Sequence, residues 1–155
     1  MVNIGDILHR NCTSAEVVAA SRKKALEAAS DLLAEHYSDL SARTLFDELM
    51  SRERLGSTGL GEGVAIPHCR IPCKQIVGAF LKLEEPVDYD AVDDQPVDLL
   101  FVLVVPPEET TAHLEVLATL ASVFESPESR RRLRAQNSDR TLYEELIGLA
   151  SNDAA

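Results

Sequence analysis

Four of the seven glycines in this sequence lie within the eight positions from 56 to 63, and His68 follows shortly after them. Glycine permits positive φ angles and close backbone approach, so successive N–H groups of such a segment can converge on an anion. Two hydroxyl donors, those of Ser57 and Thr58, stand between Gly56 and Gly59. These four residues are therefore predicted to form a phosphoryl-binding loop. The alternative is a long mobile loop that joins a helix to a strand.

His68 is the nearest side chain that can react with a phosphoryl group. Pro67 precedes it, and the proline ring fixes its own φ and holds Ile66 extended, which places the imidazole at a stiff strand end. Neutral imidazole is nucleophilic near neutral pH, and its phosphoramidate keeps a high transfer potential, so a histidine can take up and return phosphate reversibly. His68 is thus the candidate nucleophile. A structural role for a histidine at a strand end is equally compatible with the residues alone.

Arg52 and His113 are two further candidates. Arg52 lies at the predicted end of the helix before the glycine loop, where its planar guanidinium is within reach of a phosphoryl group on His68. A cation in the last turn of a helix also complements the helix dipole, which is the alternative role. His113 lies in the first turn of a later helix, where the dipole disfavours its protonated form and leaves a neutral N–H donor. It would support a bound phosphate or have no role in the site.

The elements that position these residues are predicted from hydrophobic periodicity and from capping residues. In the first part of the chain, a short strand is predicted at 15–20. A helix capped by Ser21 follows it, and a second helix runs from Ser41 to near Arg54, where Gly56 ends it. The glycine loop therefore begins at a helix end.

In the second part of the chain, residues 76–83 and 97–105 are predicted strands. The second of these is apolar on both faces apart from Asp98, as a central strand covered by helices should be. Helices are predicted after Thr110 or Thr111 and after Ser138, which can cap them. Strands interleaved with helices indicate an α/β sandwich.

Length and charge limit the possible functions. The chain has 155 residues, which is the size of one domain, and we expect that domain to span 1–150 with a flexible tail at 151–155. Its 15 Lys and Arg against 26 Asp and Glu give a net charge of −11, which makes nucleic acid or an anionic membrane an improbable partner. A basic protein is the more natural one. The arginine run at 130–134 is interpreted as a solvated helix face with local ion pairs rather than a nucleic-acid contact.

Neither a signal-peptide core nor a membrane-length apolar stretch is present in the sequence, so we expect a cytoplasmic protein without direct membrane insertion. Three cysteines cannot form an even disulfide framework, which fits a reduced compartment. Two of them, Cys69 and Cys73, lie close to His68, but the spacing H-C-x-x-x-C is not that of a zinc framework. No metal site is predicted.

The segment R-E-R-L-G-S-T-G-L-G-E-G-V-A-I-P-H resembles the active-site signature of the enzyme IIA proteins of the phosphoenolpyruvate-dependent phosphotransferase system, fructose/mannitol type. Further along, D-D-Q-P-V-D-L-L-F-V-L-V-V-P, T-A-H-L and R-R-L-R-A are similar to the nitrogen-regulatory branch of that family. The resemblance covers nearly the whole chain. It implies a single-domain α/β sandwich with a mixed β-sheet flanked by helices.

The resemblance also implies roles for individual residues. His68, in A-I-P-H, matches the phosphorylated histidine of the family, and Arg52 and His113 match its active-site arginine and second histidine. The residue after the active histidine is usually glycine in this family, whereas this chain has Cys69. That change puts the backbone freedom beside His68 in question.

The function implied is that of a phosphocarrier, a protein-histidine phosphotransferase component that receives a phosphoryl group on His68 from a phosphohistidine carrier protein. As a nitrogen-branch regulator it would act on regulatory target proteins. The alternatives are a sugar-transport component that passes phosphate to a IIB protein, and a binding module that carries no phosphate. No cofactor is predicted, because histidine-to-histidine transfer needs no magnesium and the chain has no Walker-type G-K-S/T element.

Overall fold

The structure is a computed structural model that describes residues 3–154 and the side chains of residues 3–151. The described chain begins with a 3-10 turn, Ile4–Asp6. The strands are β1 (Leu8–Val17), β2 (Gly59–Gly61), β3 (Val64–Ala65), β4 (His68–Arg70), β5 (Val77–Val87) and β6 (Val97–Val105). The α-helices are α1 (Arg22–His36), α2 (Ala42–Leu55), α3 (Thr111–Glu125), α4 (Pro127–Arg134) and α5 (Asp139–Ala154).

The strands form one mixed sheet around β6. On one side β6 pairs antiparallel with β5, and on the other it pairs parallel with the short strands β3 and β4 in succession. Strand β1 extends the sheet in parallel beyond β5, and β2 pairs antiparallel with β3. Helices α1 and α5 pack against β1, and α2 packs against β4. The predicted α/β fold with a mixed sheet is confirmed.

Strand β6 is the centre of the core. Every residue from Val97 to Val105 is buried except Asp98, which is half-buried. Because consecutive residues of a strand point to opposite faces of the sheet, this burial means that both faces of β6 are covered, which explains why the strand is apolar without alternation. The carboxylate of Asp98 accepts hydrogen bonds from Nε and Nη2 of Arg134 at 3.0–3.2 Å. The central strand predicted at 97–105 is confirmed.

Three of the predicted helix caps are present. The hydroxyls of Ser21, Ser41 and Ser138 accept hydrogen bonds from backbone N–H groups three residues later, at 3.1–3.3 Å. At α3 the prediction of a threonine cap is wrong, because Thr110 makes no side-chain cap bond. The carboxylate of Glu109 accepts the N–H of Ala112 instead, at 3.0 Å, so an acidic group satisfies this helix start.

The strand predicted at 15–20 is wrong in its extent. Strand β1 begins at Leu8 and ends at Val17, and Val18 is 81% exposed. Two register irregularities against β5 break the alternation of buried and exposed residues, so the strand lacks a period of two in the sequence. Strand β5 likewise continues to Val87, beyond the predicted end at residue 83.

The C-terminal part contains one helix more than predicted. Helix α4 begins after Ser126, whose hydroxyl caps it, and it carries the arginine run. Helix α5 continues through Ala154, so most of the predicted tail at 151–155 is helical in backbone. No helix in the described residues is long and apolar enough to cross a membrane.

The arginines of α4 form ion pairs, as predicted, although three of the four partners lie outside the helix. Arg131 pairs with Glu128 within α4, and Arg132 pairs with Glu145 of α5 at 2.9 Å. Arg130 pairs with Glu62, in the turn between β2 and β3. Arg134 pairs with Asp98 of the central strand β6.

Candidate active site

An open cleft of about 450 Å³ lies between the C-terminal half of α2, strand β4 and the start of α3. The structure brings the three residues Arg52, His68 and His113 together in its lining. The complete lining consists of Glu48, Ser51, Arg52, Leu55, His68, Cys69, Arg70 and His113.

His68 is the first residue of β4 and is held by the backbone on both sides. It pairs with Leu103 of β6, whose N–H donates to the carbonyl of Pro67 at 2.8 Å. The imidazole Nδ1 lies 2.9 Å from the carbonyl oxygen of Ile66. A carbonyl only accepts hydrogen bonds, so Nδ1 carries the proton and Nε2 of the neutral ring holds the free lone pair.

His113 lies in the first turn of α3 and is buried. Its ring packs edge-on against that of His68, with the centroids 5.6 Å apart. Its Nδ1 lies 3.0 Å from a guanidinium nitrogen of Arg70, whereas its buried Nε2 has no hydrogen-bond partner among the described residues. Burial lowers the pKa of His113, and the charges of Arg70 and His68 lower it further. These effects favour the neutral form of the ring.

Arg52 lies in the last turn of α2. Its Nη1 donates to the carbonyl oxygen of Gly56, 2.8 Å away, which satisfies a backbone acceptor at the helix end. The same side chain lines the cleft with His68. A guanidinium has five N–H donors, so this bond leaves donors for a phosphoryl group. The helix-end role and the phosphoryl-binding role are therefore compatible.

The side-chain donors of the glycine loop are used within the protein. The hydroxyl of Ser57 donates to the carbonyl oxygen of Tyr89 at 3.0 Å and accepts from the N–H of Gly59 at 3.1 Å. The hydroxyl of Thr58 donates to the carboxylate of Glu53. None of the loop residues 56–59 is in the cleft lining. Position 59 requires glycine because the backbone there lies close to Ala91, and a Cβ at this position would be 2.7 Å from the Cβ of Ala91.

A buried carboxylate that sequence reasoning missed organises this loop. Glu53 is 4% exposed and accepts both the N–H of Thr58, at 3.1 Å, and its hydroxyl. Arg22 of α1 lies 3.6 Å from the carboxylate, and its guanidinium stacks over the ring of Tyr89. The network joins the end of α2 to the loop and thereby fixes the helix turn that carries Arg52.

Arg70 is the second residue that was missed. It lies two positions after His68 on β4, so the two side chains share one face of the strand. The spacing H-x-R on a strand is the signal that could have revealed it. The intervening Cys69 also contributes to the cleft lining but is buried, with 6% of its surface exposed.

Cys69 does not occupy a backbone conformation that needs glycine. Among the described residues, positive φ outside glycine occurs only at Glu62, Asp90 and Asp94. Burial raises the pKa of the Cys69 thiol to about 12, with smaller contributions from Glu48 and Cys73. A buried thiol of high pKa is poorly reactive. No group of three or more His, Cys, Asp or Glu in the described part of the chain is arranged to hold a metal ion.

Comparison with known proteins defines the class to which this fold and cleft belong. The protein family described as "Phosphoenolpyruvate-dependent sugar phosphotransferase system, EIIA 2" matches residues 6–148 of this chain. A nitrogen regulatory protein of Pseudomonas aeruginosa is 41% identical over 148 residues, which are 95% of this chain and 96% of that protein. The chain therefore belongs to the EIIA 2 family of the phosphotransferase system.

Solved structures place it within that class. The nitrogen regulatory protein IIA-Ntr of Neisseria meningitidis superposes with a TM-score of 0.86 at 43% identity, over 95% of this chain and 98% of that one. The mannitol IIA enzyme of Escherichia coli, solved in complex with phosphorylated enzyme IIBMTL, shares the fold with a TM-score of 0.69 at 18% identity, over 94% of this chain and 99% of that one. The chain is thus similar in sequence and fold to nitrogen regulatory IIA proteins, and it shares the fold of mannitol IIA.

Proposed function

We propose that this protein is a phosphocarrier of the phosphotransferase system in which Nε2 of His68 accepts a phosphoryl group from a phosphohistidine carrier protein. The observation that carries this proposal is the hydrogen bond from Nδ1–H of His68 to the carbonyl oxygen of Ile66, at 2.9 Å. It fixes the tautomer with a nucleophilic Nε2, and the nitrogen belongs to a ring that lines an open cleft.

The transfer exchanges one P–N bond for another. The lone pair of His68 Nε2 forms a bond to phosphorus while the P–N bond of the donor histidine breaks, and that bonding pair returns to the donor ring. Because Nδ1 of His68 keeps its proton, the His68 ring becomes positively charged as the new bond forms. The carbonyl of Ile66, which accepts that proton in a hydrogen bond, stabilises the developing charge. The transfer requires neither nucleotide nor metal.

Two groups in the cleft can donate hydrogen bonds to the phosphoryl oxygens. The guanidinium of Arg52 offers the donors that its bond to Gly56 leaves unused, and the planar fork matches the geometry of a phosphoryl group. The buried Nε2 of His113 has no hydrogen-bond partner among the described residues, and when it carries the ring proton it offers a neutral donor beside the His68 ring. A loose transition state spreads charge over the phosphoryl oxygens, so fixed donors of this kind lower its free energy.

The rim of the cleft suits a protein donor. Leu55, in the cleft lining, is 85% exposed, and Leu114, next to His113, is 67% exposed. Exposed apolar side chains around a polar centre are typical of a surface that is covered on binding. The net charge of −11 would steer a basic partner towards the protein, so we expect the encounter to weaken as salt increases.

The regulatory role follows from the relatives. Proteins that match nearly the whole chain at about 41% identity are named nitrogen regulatory proteins. We propose that this protein acts in the cytoplasm, where its phosphorylation state controls its binding to regulatory target proteins. Transfer onward to a IIB protein is the second candidate, because the mannitol IIA protein that shares this fold was solved with its phosphorylated IIB partner.

The direct test is incubation with enzyme I, a phosphohistidine carrier protein and labelled phosphoenolpyruvate. We expect the wild-type protein to acquire an acid-labile, base-stable label, and His68→Ala to acquire none. His36→Ala is the matched control, because His36 lies outside the cleft and should leave labelling intact. Full labelling of His68→Ala would contradict the assignment of the nucleophile, and absence of label on the wild-type protein would contradict the carrier function.

The two downstream roles are separated by a second incubation. Labelled protein is purified and mixed with a fructose- or mannitol-type IIB protein. Retention of the label supports the regulatory role, whereas rapid appearance of the label on IIB supports the transport role.

A further inference from the structure

Arg70 makes more hydrogen bonds than any other side chain in the cleft lining. Its Nη1 lies 3.1 Å from the carbonyl oxygens of Pro106 and Pro107 and 2.7 Å from that of Glu109. Its Nη2 lies 3.0 Å from Nδ1 of His113. These acceptors belong to the segment that joins β6 to α3. Arg70 therefore connects the strand that carries His68 to the helix start that carries His113.

The bond to His113 determines where the proton of that ring lies. A guanidinium donates hydrogen bonds and cannot accept them, so Nδ1 of His113 must be the acceptor. The proton of the neutral ring is then on Nε2. That nitrogen is buried and has no partner among the described residues. A buried donor without an acceptor is unfavourable by itself, and such groups in native proteins usually have a functional reason.

We propose that Arg70 is a positioning residue: by donating to Nδ1 of His113, it holds His113 in the tautomer whose Nε2–H donates to a phosphoryl oxygen on His68. This inference rests on the proposed function of His68. It explains why Nε2 is unsatisfied, because its acceptor arrives with the phosphoryl group. The lowered pKa of His113 supports the proposal, since it favours the neutral ring, the only form in which Nδ1 can accept a hydrogen bond.

The geometry favours an indirect role for Arg70 over a direct contact with phosphate. Four acceptors already occupy the two terminal nitrogens of Arg70, three of them backbone carbonyls. Arg52, in contrast, donates to one carbonyl only, that of Gly56. The two arginines of the cleft thus have different roles. Arg52 has donors available for the phosphoryl group, whereas Arg70 binds the second histidine, His113.

The first experiment observes the tautomer itself, on the unphosphorylated protein. Imidazole ¹⁵N spectra distinguish a protonated from an unprotonated ring nitrogen, and His113 is assigned by comparison with His113→Gln. We expect wild-type His113 to have unprotonated Nδ1 and protonated Nε2, and Arg70→Met to show a mixture of both tautomers. Arg70→Lys should restore the wild-type pattern, because an ammonium group still donates to Nδ1. A wild-type ring protonated at Nδ1 would overturn the proposal.

The second experiment measures the rate of phosphoryl transfer to His68 in a single turnover. We expect Arg70→Met to slow transfer by about tenfold to a hundredfold, the effect typical of losing a group that orients a functional histidine, and Arg70→Lys to recover most of the rate. Arg140→Met is the matched control, since Arg140 lies on α5 with its side chain 83% exposed. An unchanged rate in Arg70→Met would overturn the proposal.

A combined variant separates positioning from direct contact. If Arg70 acts through His113, Arg70→Met should have no further effect on transfer in a His113→Gln background. A full additional loss of rate in that background would show that Arg70 acts on the phosphoryl group itself and would overturn the positioning role. If wild-type His68 accepts no phosphate, the proposed function fails, while the tautomer measurement still tests the Arg70–His113 bond.

Discussion

The imidazole rings of His68 and His113 meet edge to face, with an interplanar angle of 62° and the centroids 5.6 Å apart. Each ring has its Nδ1 occupied, in His68 by a carbonyl acceptor and in His113 by an arginine donor. The two bonds select opposite roles for Nε2, a lone pair on His68 and an N–H on His113. In the proposed function, a nucleophile and a hydrogen-bond donor therefore lie side by side.

Protein stability should depend on pH through His113. Burial, together with Arg70 and His68, lowers the folded-state pKa of His113 below its ordinary value of 6.5. As the pH falls through that ordinary value, the unfolded chain binds a proton that the folded protein still excludes, so the free energy of unfolding decreases. Urea unfolding of wild type and His113→Gln between neutral and mildly acidic pH measures this. We expect a shallower decline in His113→Gln, and identical slopes would refute the prediction.

Arg52→Lys should fold normally and transfer phosphate more slowly. Lysine keeps the positive charge near the end of α2 but loses the planar fork, and loss of one transition-state donor costs on the order of a hundredfold in rate. The measurement is single-turnover transfer to His68. Arg54→Lys is the control, since Arg54 lies in the same helix turn but is exposed and outside the cleft lining. Equal rates for the two variants would leave Arg52 with the helix-end role alone.

Cys69→Gly should not accelerate phosphoryl transfer, with or without reductant. Cys69 has an ordinary φ, and its buried thiol, with a pKa raised to about 12, is a poor redox group. Glycine in a strand and the loss of a buried side chain should instead lower the free energy of unfolding by about 1–2 kcal/mol. Faster transfer in Cys69→Gly would mean that the thiol obstructs the approach of the phosphoryl donor. A transfer rate that depends on reductant would instead indicate that oxidation of this thiol controls the site.

Glu53→Ala should destabilise the protein by about 2–3 kcal/mol, because it leaves the buried N–H of Thr58 without an acceptor and leaves the hydroxyl only a 3.3 Å contact with that of Tyr89. Glu53→Gln, which retains an acceptor oxygen, should lose less. Urea unfolding provides the measurement, and Asp47→Ala, exposed on the same helix, provides the control. A loss no larger than that of Asp47→Ala would show that the network contributes little.

Prediction from the sequence succeeded where a residue's surroundings are imposed by its own segment. Strand β6 is apolar at eight of nine positions, so its central place follows from composition, and Ser21 and Ser41 cap the helices that follow them because the bond is local. The glycine cluster likewise identified the segment next to His68.

Prediction failed where a partner distant in sequence decides the outcome. Arg70 and His113 are 43 positions apart, and they meet because β4 pairs with β6, the strand that leads into α3. The hydroxyl of Ser57, which was expected to be a donor for a phosphoryl group, is bonded to the carbonyl oxygen of Tyr89, 32 positions further along the chain. Most of strand β1, the part before residue 15, was missed because its irregular register against β5 hides the alternation on which a strand prediction depends.

The attachment of β4 to β6 has a consequence for how phosphorylation would be sensed. His68 is hydrogen-bonded in register to the most deeply buried strand of the sheet, and the amide of Leu103 holds the residue before it. We expect the amide protons of this part of β6 to exchange with solvent at similar rates in the free and phosphorylated protein, because opening it requires global unfolding. A partner would then distinguish the two forms by the added negative charge on a stationary surface, without any rearrangement of the backbone.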